Sequence, residues 1–351
     1  MPTLRSEDLQ KLGRDIFCAL GVPEQEAESV SRILVRANLQ GHDSHGVIRF
    51  PQYVEECRTG KLDPKAQPIV VQEGPATALI DGKKAFGQIV AQKAMELAIR
   101  KAREVGIAAV GVRQSGHIGR LADYAEMASA QNMLAFLYVN SSGAGQWMAP
   151  WGGKEGRLST NPLAFACPAG ETTSICMDIS TSTAPEGKVR VKRNRKEQAP
   201  SGWLLDAAGC PTTDPEVLYR NPRGSLLPMG GHKGYALAVM VEILAGILGR
   251  AGHVCEQPAS DHNGFLVIVL DIGRFLDPGQ FKAEVDAMNR HLKSSSPAPG
   301  SSGVLVPGEA EIRVEQERRG TGVFIEDETW NKITALAREL GVSLVPTKEP
   351  A

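Results

Sequence analysis

Short apolar runs alternate with helix-length segments between residues 69 and 139, and this alternation constrains the fold more than any other sequence feature. Residues 69–74 and 76–82 end in turn residues and predict two strands. A helix is predicted over residues 90–105, and apolar strands over residues 107–112 and 134–139. Strands and helices that alternate in this way are typical of an α/β protein.

Helices are predicted at both ends of the chain. Amphipathic runs over residues 6–20 and 23–39, separated by Gly21, predict an N-terminal helical hairpin. A short helix over residues 47–59 follows it, and a C-terminal helix is predicted over residues 327–340.

The central part of the chain is less regular. Residues 187–213 are basic and predict a long exposed loop or hairpin with solvated charges. Beyond it we expect a buried helix over 235–248, a buried strand over 265–270, an amphipathic helix over 278–292 and a linker over 294–303.

Composition narrows the class of protein. A chain of 351 residues predicts about two domains. Its 39 basic and 40 acidic side chains give a formal charge of -1, which favours small-molecule partners over nucleic acid or anionic membranes. The six cysteines lack a C-x-x-C pair, so we expect reduced, mostly buried thiols. Without an apolar signal segment or an uninterrupted apolar span, a soluble cytoplasmic protein is predicted.

The segment around His45 carries the strongest chemical signal. An acid, a hydroxyl, an imidazole, a guanidinium and a phenol follow one another at Asp43, Ser44, His45, Arg49 and Tyr53. A titratable imidazole with a guanidinium at i+4 can move a proton and hold a carboxylate. A helix cap is the structural alternative, but a cap needs far fewer of these groups. The cluster predicts chemistry on a small organic acid.

A second candidate site lies in Gly116-His117-Ile118-Gly119-Arg120-Leu121, between a predicted strand and a predicted helix. Free N–H groups at the start of a helix attract phosphate, and Arg120 would add positive charge. The segment does not match G-x-G-x-x-G, which disfavours a Rossmann domain.

Three further segments have weaker signals. The hydroxyls and carboxylate of residues 178–182 suit ribose or amide recognition, although a turn explains them equally well. Lys188 could stabilise charge but heads a basic run, and Lys233 between glycines is either a phosphate contact or part of a helix start. Residues 306–311 would by themselves be an exposed acidic turn.

Metal binding has weak support in the sequence. His42, His45, His117 and His232 are available, but no H-E-x-x-H pattern or cysteine cluster accompanies them. We therefore expect no metal site, and a metal-dependent hydrolase is a remote alternative.

In combination, Asp-Ser-His-Gly at 43–46, Gly-His-Ile-Gly-Arg-Leu at 116–121, Gly-His-Lys-Gly-Tyr at 231–235 and Pro-Gly-Glu at 307–309 resemble the malate/L-lactate dehydrogenase family of nicotinamide-dependent enzymes. That family also contains ureidoglycolate, sulfolactate and diketogulonate dehydrogenases and cyclic ketimine reductases. The resemblance implies a non-Rossmann α/β fold around a mixed, largely antiparallel sheet, and a homodimer with the active site at the subunit interface. We expect residues 1–125 with 305–351 to form the substrate-binding and dimerisation domain, and residues 126–304 an inserted dinucleotide-binding domain.

The resemblance also implies roles for particular residues. Catalytic roles fall on Ser44, His45, His117 and Lys188, with His45 a candidate proton donor and His117 its competitor. Arg49 would clamp the substrate carboxylate, and Tyr53 and Thr160 would line the pocket. The NAD or NADP contacts would be His117, Ile118, Gly119, Arg120, Leu121, Ser141, Asp178, Ile179, Ser180, Lys233, Pro307, Gly308, Glu309, Ala310, Glu311, Ile312 and Arg313.

The activity implied is hydride transfer between nicotinamide and a small 2-hydroxy or 2-oxo acid, malate-like or lactate-like, with a histidine exchanging the proton. Reduction of a cyclic imino acid, piperideine- or pyrroline-2-carboxylate, is the alternative substrate class. The sequence departs from the family pattern at Pro185-Glu186, ahead of Lys188, which leaves a non-catalytic dinucleotide-binding protein as another alternative.

Overall fold

The computed structural model describes residues 2–258 and 260–344. Residues 345–351, the end of the predicted segment 305–351, lie outside the described residues. Within the described ranges the α-helices are α1 Ser6–Ala19, α2 Glu24–Leu39, α3 Arg49–Arg58, α4 Gly87–Val105, α5 Ala122–Ser129, α6 Glu186–Asn194, α7 His232–Val241, α8 Pro278–Lys293, α9 Glu309–Thr321 and α10 Asp327–Glu339.

A mixed sheet forms the centre of the molecule. The strands in the same ranges are β1 Thr3–Leu4, β2 Ile69–Glu73, β3 Thr77–Asp81, β4 Ile107–Ser115, β5 Met133–Asn140, β6 Leu163–Cys167, β7 Ile175–Ile179, β8 Leu204–Leu205, β9 Pro211–Thr212, β10 Ser225–Leu226, β11 Asn263–Asp271 and β12 Val323–Phe324. Seven of them pair in the order β2-β3-β4-β11-β5-β6-β7. Only the β3–β4 pair is parallel among these described strands, so the prediction of a mixed, largely antiparallel sheet is confirmed.

Two helices cover the sheet and complete its core. α4 and α5 pack on β4, β5, β6 and β11, and the strands contribute alternate buried residues such as Val110, Val112 and Val267. Period-two burial of this kind follows from the alternation of side chains along a strand. The sheet draws β2–β4 from residues 1–125 and its other strands from 126–304. The division into two domains stays a prediction.

The N-terminal helical hairpin is present and builds a second core. Leu9, Leu12 and Ile16 lie at helical spacing on α1 and are buried against α2. Phe17 packs edge-on against Phe50 of α3 at 5.4 Å between ring centroids. This core holds the start of α3, and therefore Arg49, in a fixed position beside the sheet.

The prediction of a long exposed loop over 187–213 is wrong at its start. Residues 186–194 form α6, whose Val189 is fully buried in a third apolar cluster. The charges themselves lie at the surface as expected. Four of the six basic side chains pair with carboxylates: Arg190 with Glu186, Lys192 with Glu197, Arg193 with Glu216 and Arg195 with Glu326.

Two burial predictions are also wrong. The helix predicted over 235–248 changes after Val241 into a π-helical segment, Glu242–Leu248, in which Ile247 and Leu248 are 56% and 64% exposed. All six cysteines are free thiols, but Cys210 and Cys255 are exposed. An apolar residue type does not determine whether the side chain is buried within its own chain or exposed at the surface. No helix of the described ranges is both long and apolar enough to span a membrane.

Candidate active site

A cavity of about 1070 Å³ opens where the 43–46 turn, the end of β4, the start of α5, α6 and α9 meet. Most of the predicted site residues line it: Ser44, His45, Arg49, His117, Ile118, Gly119, Arg120, Leu121, Ser141, Thr160, Asp178, Ile179, Ser180, Lys188, Ala310 and Glu311. The predicted residues that do not line it are Tyr53, Lys233, Pro307, Gly308, Glu309, Ile312 and Arg313.

His45 ends a single 3-10 turn, Asp43–His45, between α2 and α3. Asn38 holds the turn: its Oδ1 accepts from the Val47 N–H at 2.8 Å and its Nδ2 donates to Asp43. A Cβ on Gly46 would overlap the Asn38 side chain, so the turn needs glycine at that position. Ser44 Oγ lies 3.0 Å from His45 Nδ1, which leaves His45 Nε2 toward the cavity.

Arg49, at the start of α3, is oriented by two groups that carry no charge. Its Nε donates to the Ser44 carbonyl oxygen at 2.8 Å, and its Nη1 donates to Gln52 Oε1. Among the described residues, nothing accepts a hydrogen bond from Nη2. Burial lowers the pKa of Arg49 from its ordinary value, yet a guanidinium stays charged in proteins. Within residues 2–258 and 260–344, the site therefore presents a fixed cation that has no carboxylate partner.

His117 follows the end of β4 and faces the same cavity. Its ring stacks on His45 with 5.6 Å between centroids and 20° between planes. Its Nδ1 lies 2.9 Å from the Tyr53 hydroxyl oxygen. Tyr53 is 1% exposed and stands behind His117 instead of lining the pocket, because the second core encloses its ring.

Both imidazoles are neutral near pH 7 in this environment. Burial, followed by the positive charge of Arg49, lowers the pKa of His45 to about 3. The same two causes lower the pKa of His117 well below its usual value. An anion bound to Arg49 would cancel the second cause and raise both pKa values.

Asp178 changes the expected phosphate site. Its Oδ2 accepts the N–H groups of Leu121 and Ala122 at 2.8 and 2.9 Å, so a carboxylate of β7 already caps the start of α5. Arg120 is 3% exposed and forms ion pairs with Asp123 and Glu126 at 3.4 Å. The N–H groups of Leu121 and Ala122 are therefore not free, and two carboxylates balance the charge of Arg120. That residues 117–121 contact a dinucleotide stays a prediction.

Hydroxyl groups and backbone form the opposite wall. Ser141 Oγ lies 3.2 Å from Ser159 Oγ, and Ser180 Oγ donates to the Ser182 carbonyl oxygen. The carbonyl oxygen of Thr160 accepts from both the N–H and the hydroxyl of Thr181. Strand ends fix these groups, which suits recognition of ribose or amide groups.

α6 brings Lys188 to the cavity, and the adjacent Gly187 lies against Ser44, where an added Cβ would come within 3.1 Å of the Ser44 Cβ. No carboxylate of the described residues lies within ion-pair distance of Lys188. The departure at Pro185-Glu186 is the start of this helix, where Glu186 binds Arg190 and Tyr219.

The two remaining motifs lie partly away from the cavity. Lys233 is exposed at the start of α7. At the start of α9, Ala310 and Glu311 face the cavity, while Glu309 forms ion pairs with Lys293 and Arg313. The cofactor role of these segments stays a prediction.

Several residues of the site were missed or ranked low by sequence reasoning. Gln52 and Gln88 orient Arg49 and Tyr53, and Asn263 Oδ1 accepts the Ile118 N–H at 3.1 Å. His42 lies 3.5 Å from Glu311. Neutral amides give no sequence signal of this kind, because their partners come from distant elements. In residues 2–258 and 260–344, no group of three or more His, Cys, Asp or Glu side chains could hold a metal ion.

Comparisons with known proteins identify the family of the chain. The family model described as malate/L-lactate dehydrogenase matches residues 4–334. The L-sulfolactate dehydrogenase of Methanothermobacter thermautotrophicus is 38% identical over 344 residues, 96% of this chain and 97% of that one. The solved sulfolactate dehydrogenase of Methanocaldococcus jannaschii superposes with a TM-score of 0.88 at 36% identity, covering 97% and 98% of the two chains.

A third likeness is to an imine reductase. The Δ1-piperideine-2-carboxylate reductase of Pseudomonas syringae has a TM-score of 0.82 at 29% identity, covering 96% of this chain and all of that one. The chain belongs to the malate/L-lactate dehydrogenase family. This membership confirms the predicted fold and the predicted class, an oxidoreductase acting on 2-hydroxy acids.

Proposed function

We propose that this enzyme transfers a hydride between a nicotinamide dinucleotide and a small 2-hydroxy or 2-oxo acid, malate-like or lactate-like. The observation that carries the proposal is Arg49, a fixed guanidinium with an unpaired Nη2, beside two stacked imidazoles in one cavity. A guanidinium binds a carboxylate with two parallel hydrogen bonds. Such a clamp orients the adjacent carbon of a 2-hydroxy acid toward the histidines.

One of the two stacked histidines exchanges the proton with the substrate. We assign this role to His117, and we assign His45 the role of a hydrogen-bond donor to the same substrate. Neutral imidazoles suit removal of a proton from a hydroxyl group. When a substrate carboxylate neutralises Arg49, the pKa of His117 rises and the imidazolium needed for the reverse direction becomes accessible. The assignment to His117 rests on geometry: its Nδ1 lies 2.9 Å from the hydroxyl of the buried Tyr53, whereas His45 Nδ1 meets the hydroxyl of the adjacent Ser44.

The remaining walls fit a dinucleotide. The cavity, about 1070 Å³, is slightly larger than the roughly 300–1,000 Å³ common for ligand pockets, which supports a cofactor together with a small acid. Residues 117–121, Ser141, residues 178–180 and the start of α9 would hold it, with Lys233 as the most distant predicted contact. When bound, the nicotinamide accepts or donates the hydride. NAD and NADP both remain candidates.

The alternative substrate class is a cyclic imino acid. The likeness to a piperideine-2-carboxylate reductase favours it, because an imine carboxylate offers the same carboxylate to Arg49 and a nitrogen in place of the oxygen. The histidine would then give its proton to that nitrogen.

Homodimerisation and a cytoplasmic location are part of the proposal. The exposed apolar side chains Ile243, Ile247 and Leu248 support a second copy of this chain as their cover. Light scattering coupled to size exclusion checks this directly. A monomeric mass at micromolar concentration would contradict the homodimer.

One screen tests the proposed reaction. The purified protein is incubated with a panel of 2-oxo acids and cyclic imino acids, with NADH and with NADPH in parallel, and oxidation of the reduced cofactor is followed by absorbance. We expect turnover of at least one 2-oxo acid. Turnover of cyclic imines alone would select the alternative. Binding of NADH or NADPH without any turnover would indicate a non-catalytic dinucleotide-binding protein.

A further inference from the structure

Gln88, Tyr53 and His117 come from three different elements and form one buried hydrogen-bond chain behind the cavity. Gln88 Nε2 donates to the Tyr53 hydroxyl oxygen at 2.9 Å, and that oxygen lies 2.9 Å from His117 Nδ1. Gln88 is 0% and Tyr53 1% exposed. Bulk water therefore does not compete for these hydrogen bonds.

Packing fixes the chain from two sides. A Cβ on Gly87 would overlap the carbonyl oxygens of Gly116 and His117, so glycine at that position lets the first turn of α4 approach the turn that follows β4. The Tyr53 ring lies 5.8 Å from Phe86 and 6.4 Å from Phe17 between centroids. These contacts keep the side chains of Tyr53 and Gln88 close to His117.

The number of hydrogens available decides which way each bond points. A phenol oxygen offers one hydrogen and two acceptor positions. Gln88 fills one acceptor position. The hydroxyl hydrogen can go to the His117 carbonyl oxygen, 3.2 Å away, which receives a hydrogen bond from Tyr53 alone among the described residues. The second acceptor position then faces His117 Nδ1, which fills it by donating its own proton.

We propose that Gln88 is a positioning residue for the proton transfer: through Tyr53 it keeps a proton on Nδ1 of His117 and leaves Nε2 to exchange a proton with the substrate. The inference rests on the proposed function. In the reducing direction the Nε2–H bond of the imidazolium breaks and its electron pair stays on Nε2. The proton goes to the substrate oxygen or nitrogen as the substrate carbon accepts the hydride from the reduced nicotinamide. The Nδ1–H bond to Tyr53 is the same before and after.

A catalytic histidine that carries its proton on the wrong nitrogen lowers kcat, even where the positions of the side chains are unchanged. Gln88 does not take the hydroxyl hydrogen; by donating to the Tyr53 oxygen it holds that oxygen within reach of the His117 carbonyl oxygen, which accepts the hydrogen. Without the amide, the oxygen can shift away from the carbonyl and the hydroxyl can turn to Nδ1, and the proton of the neutral imidazole then moves to Nε2. That form cannot accept a proton from a substrate hydroxyl at Nε2. The loss concerns kcat, since neither Gln88 nor Tyr53 lines the cavity where substrate binds.

The test compares Gln88→Met, Tyr53→Phe, the double variant and Ile89→Val, a control on the adjacent helical position. We expect Gln88→Met to lower kcat about 10-fold and Tyr53→Phe about 100-fold, with substrate KM nearly unchanged. Because the two side chains act as one unit, the double variant should match Tyr53→Phe. Ile89→Val should keep the wild-type rate.

Histidine nitrogen chemical shifts of the ¹⁵N-labelled wild-type protein report the tautomer without any substrate. We expect His117 to carry its proton on Nδ1, and Gln88→Met to shift it toward Nε2. A wild-type Nε2–H tautomer, multiplied losses in the double variant, or full activity of Gln88→Met would each overturn the proposal. Failure of the proposed function is a different result, namely no turnover by the wild-type protein in the substrate screen.

Discussion

The two histidine-bearing segments of the cavity are held in different ways. His45 sits in a short turn, half-buried, with Nδ1 bonded only to the adjacent Ser44 hydroxyl. His117 is bonded through Tyr53 to Gln88, so residues far apart in sequence fix its ring. A hydroxyl that rotates freely leaves a tautomer open, whereas a closed network selects one. The comparison teaches that the stronger sequence motif, around His45, need not contain the better-positioned base.

The largest expected effect separates the two histidines. His117→Asn should lower kcat by roughly 10²–10⁴-fold, the usual contribution of a general acid–base residue. Dinucleotide binding, measured by quenching of protein fluorescence, should survive, since the other walls of the cavity are intact. Unchanged kcat would remove His117 from the chemistry and return the role to His45.

Arg49→Gln tests the cation that both imidazoles share. Loss of a charged carboxylate contact costs about 1.5–3 kcal/mol, so kcat/KM should fall roughly 10- to 100-fold, mainly through a higher KM for the acid. Gln52→Leu is the matched control for orientation, because Gln52 accepts from Nη1 without contributing charge. A KM that stays at the wild-type value in Arg49→Gln would show that the carboxylate binds elsewhere.

His45→Asn should have a smaller effect than His117→Asn. An asparagine can still donate one hydrogen bond to the substrate, so we expect kcat to fall about 10-fold. Steady-state rates of the two variants under the same saturating conditions decide the order. The comparison of the two segments would be reversed if His45→Asn were the slower enzyme.

The smallest effect concerns stability at acid pH. The unfolded state binds a proton at His45 near pH 6.5, but the folded state does so only near pH 3. The free energy of unfolding should therefore decrease as pH falls from about 6.5 toward 3. In His45→Asn this slope should flatten by up to about 1.4 kcal/mol per pH unit, measured by urea unfolding. An unaltered slope would mean that burial does not keep this imidazole neutral.

The sequence predicted the fold well wherever period and turn residues are local signals. The helical hairpin, the sheet strands β2, β3, β4, β5 and β11, and the linker over 294–303 follow from such signals, whereas β6 and β7 were not predicted. α6 was missed because its run of surface charges resembled a loop, and the partners Glu216 and Glu326 lie far along the chain. The exposed π-helical end of residues 242–248 was missed because an apolar run does not reveal its orientation.

The candidate site was predicted by residue type but not by contact. Motifs identified the side chains that meet at the cavity, because imidazole, guanidinium and hydroxyl groups are unusual in such density. They could not reveal that Asp178 caps α5 or that Tyr53 supports His117, since both contacts join segments more than 50 residues apart. Gln88 had no signal at all, because a buried amide resembles any other helical glutamine until its partner is known.

The central claim is that His117, held by Tyr53 and Gln88, exchanges the proton, while His45 assists. A single-turnover stopped-flow measurement with enzyme in excess over reduced cofactor and saturating acid isolates that step from product release. The account predicts that His117→Asn oxidises the cofactor at least about 10-fold more slowly than His45→Asn. Equal rates, or a slower His45→Asn enzyme, would contradict it.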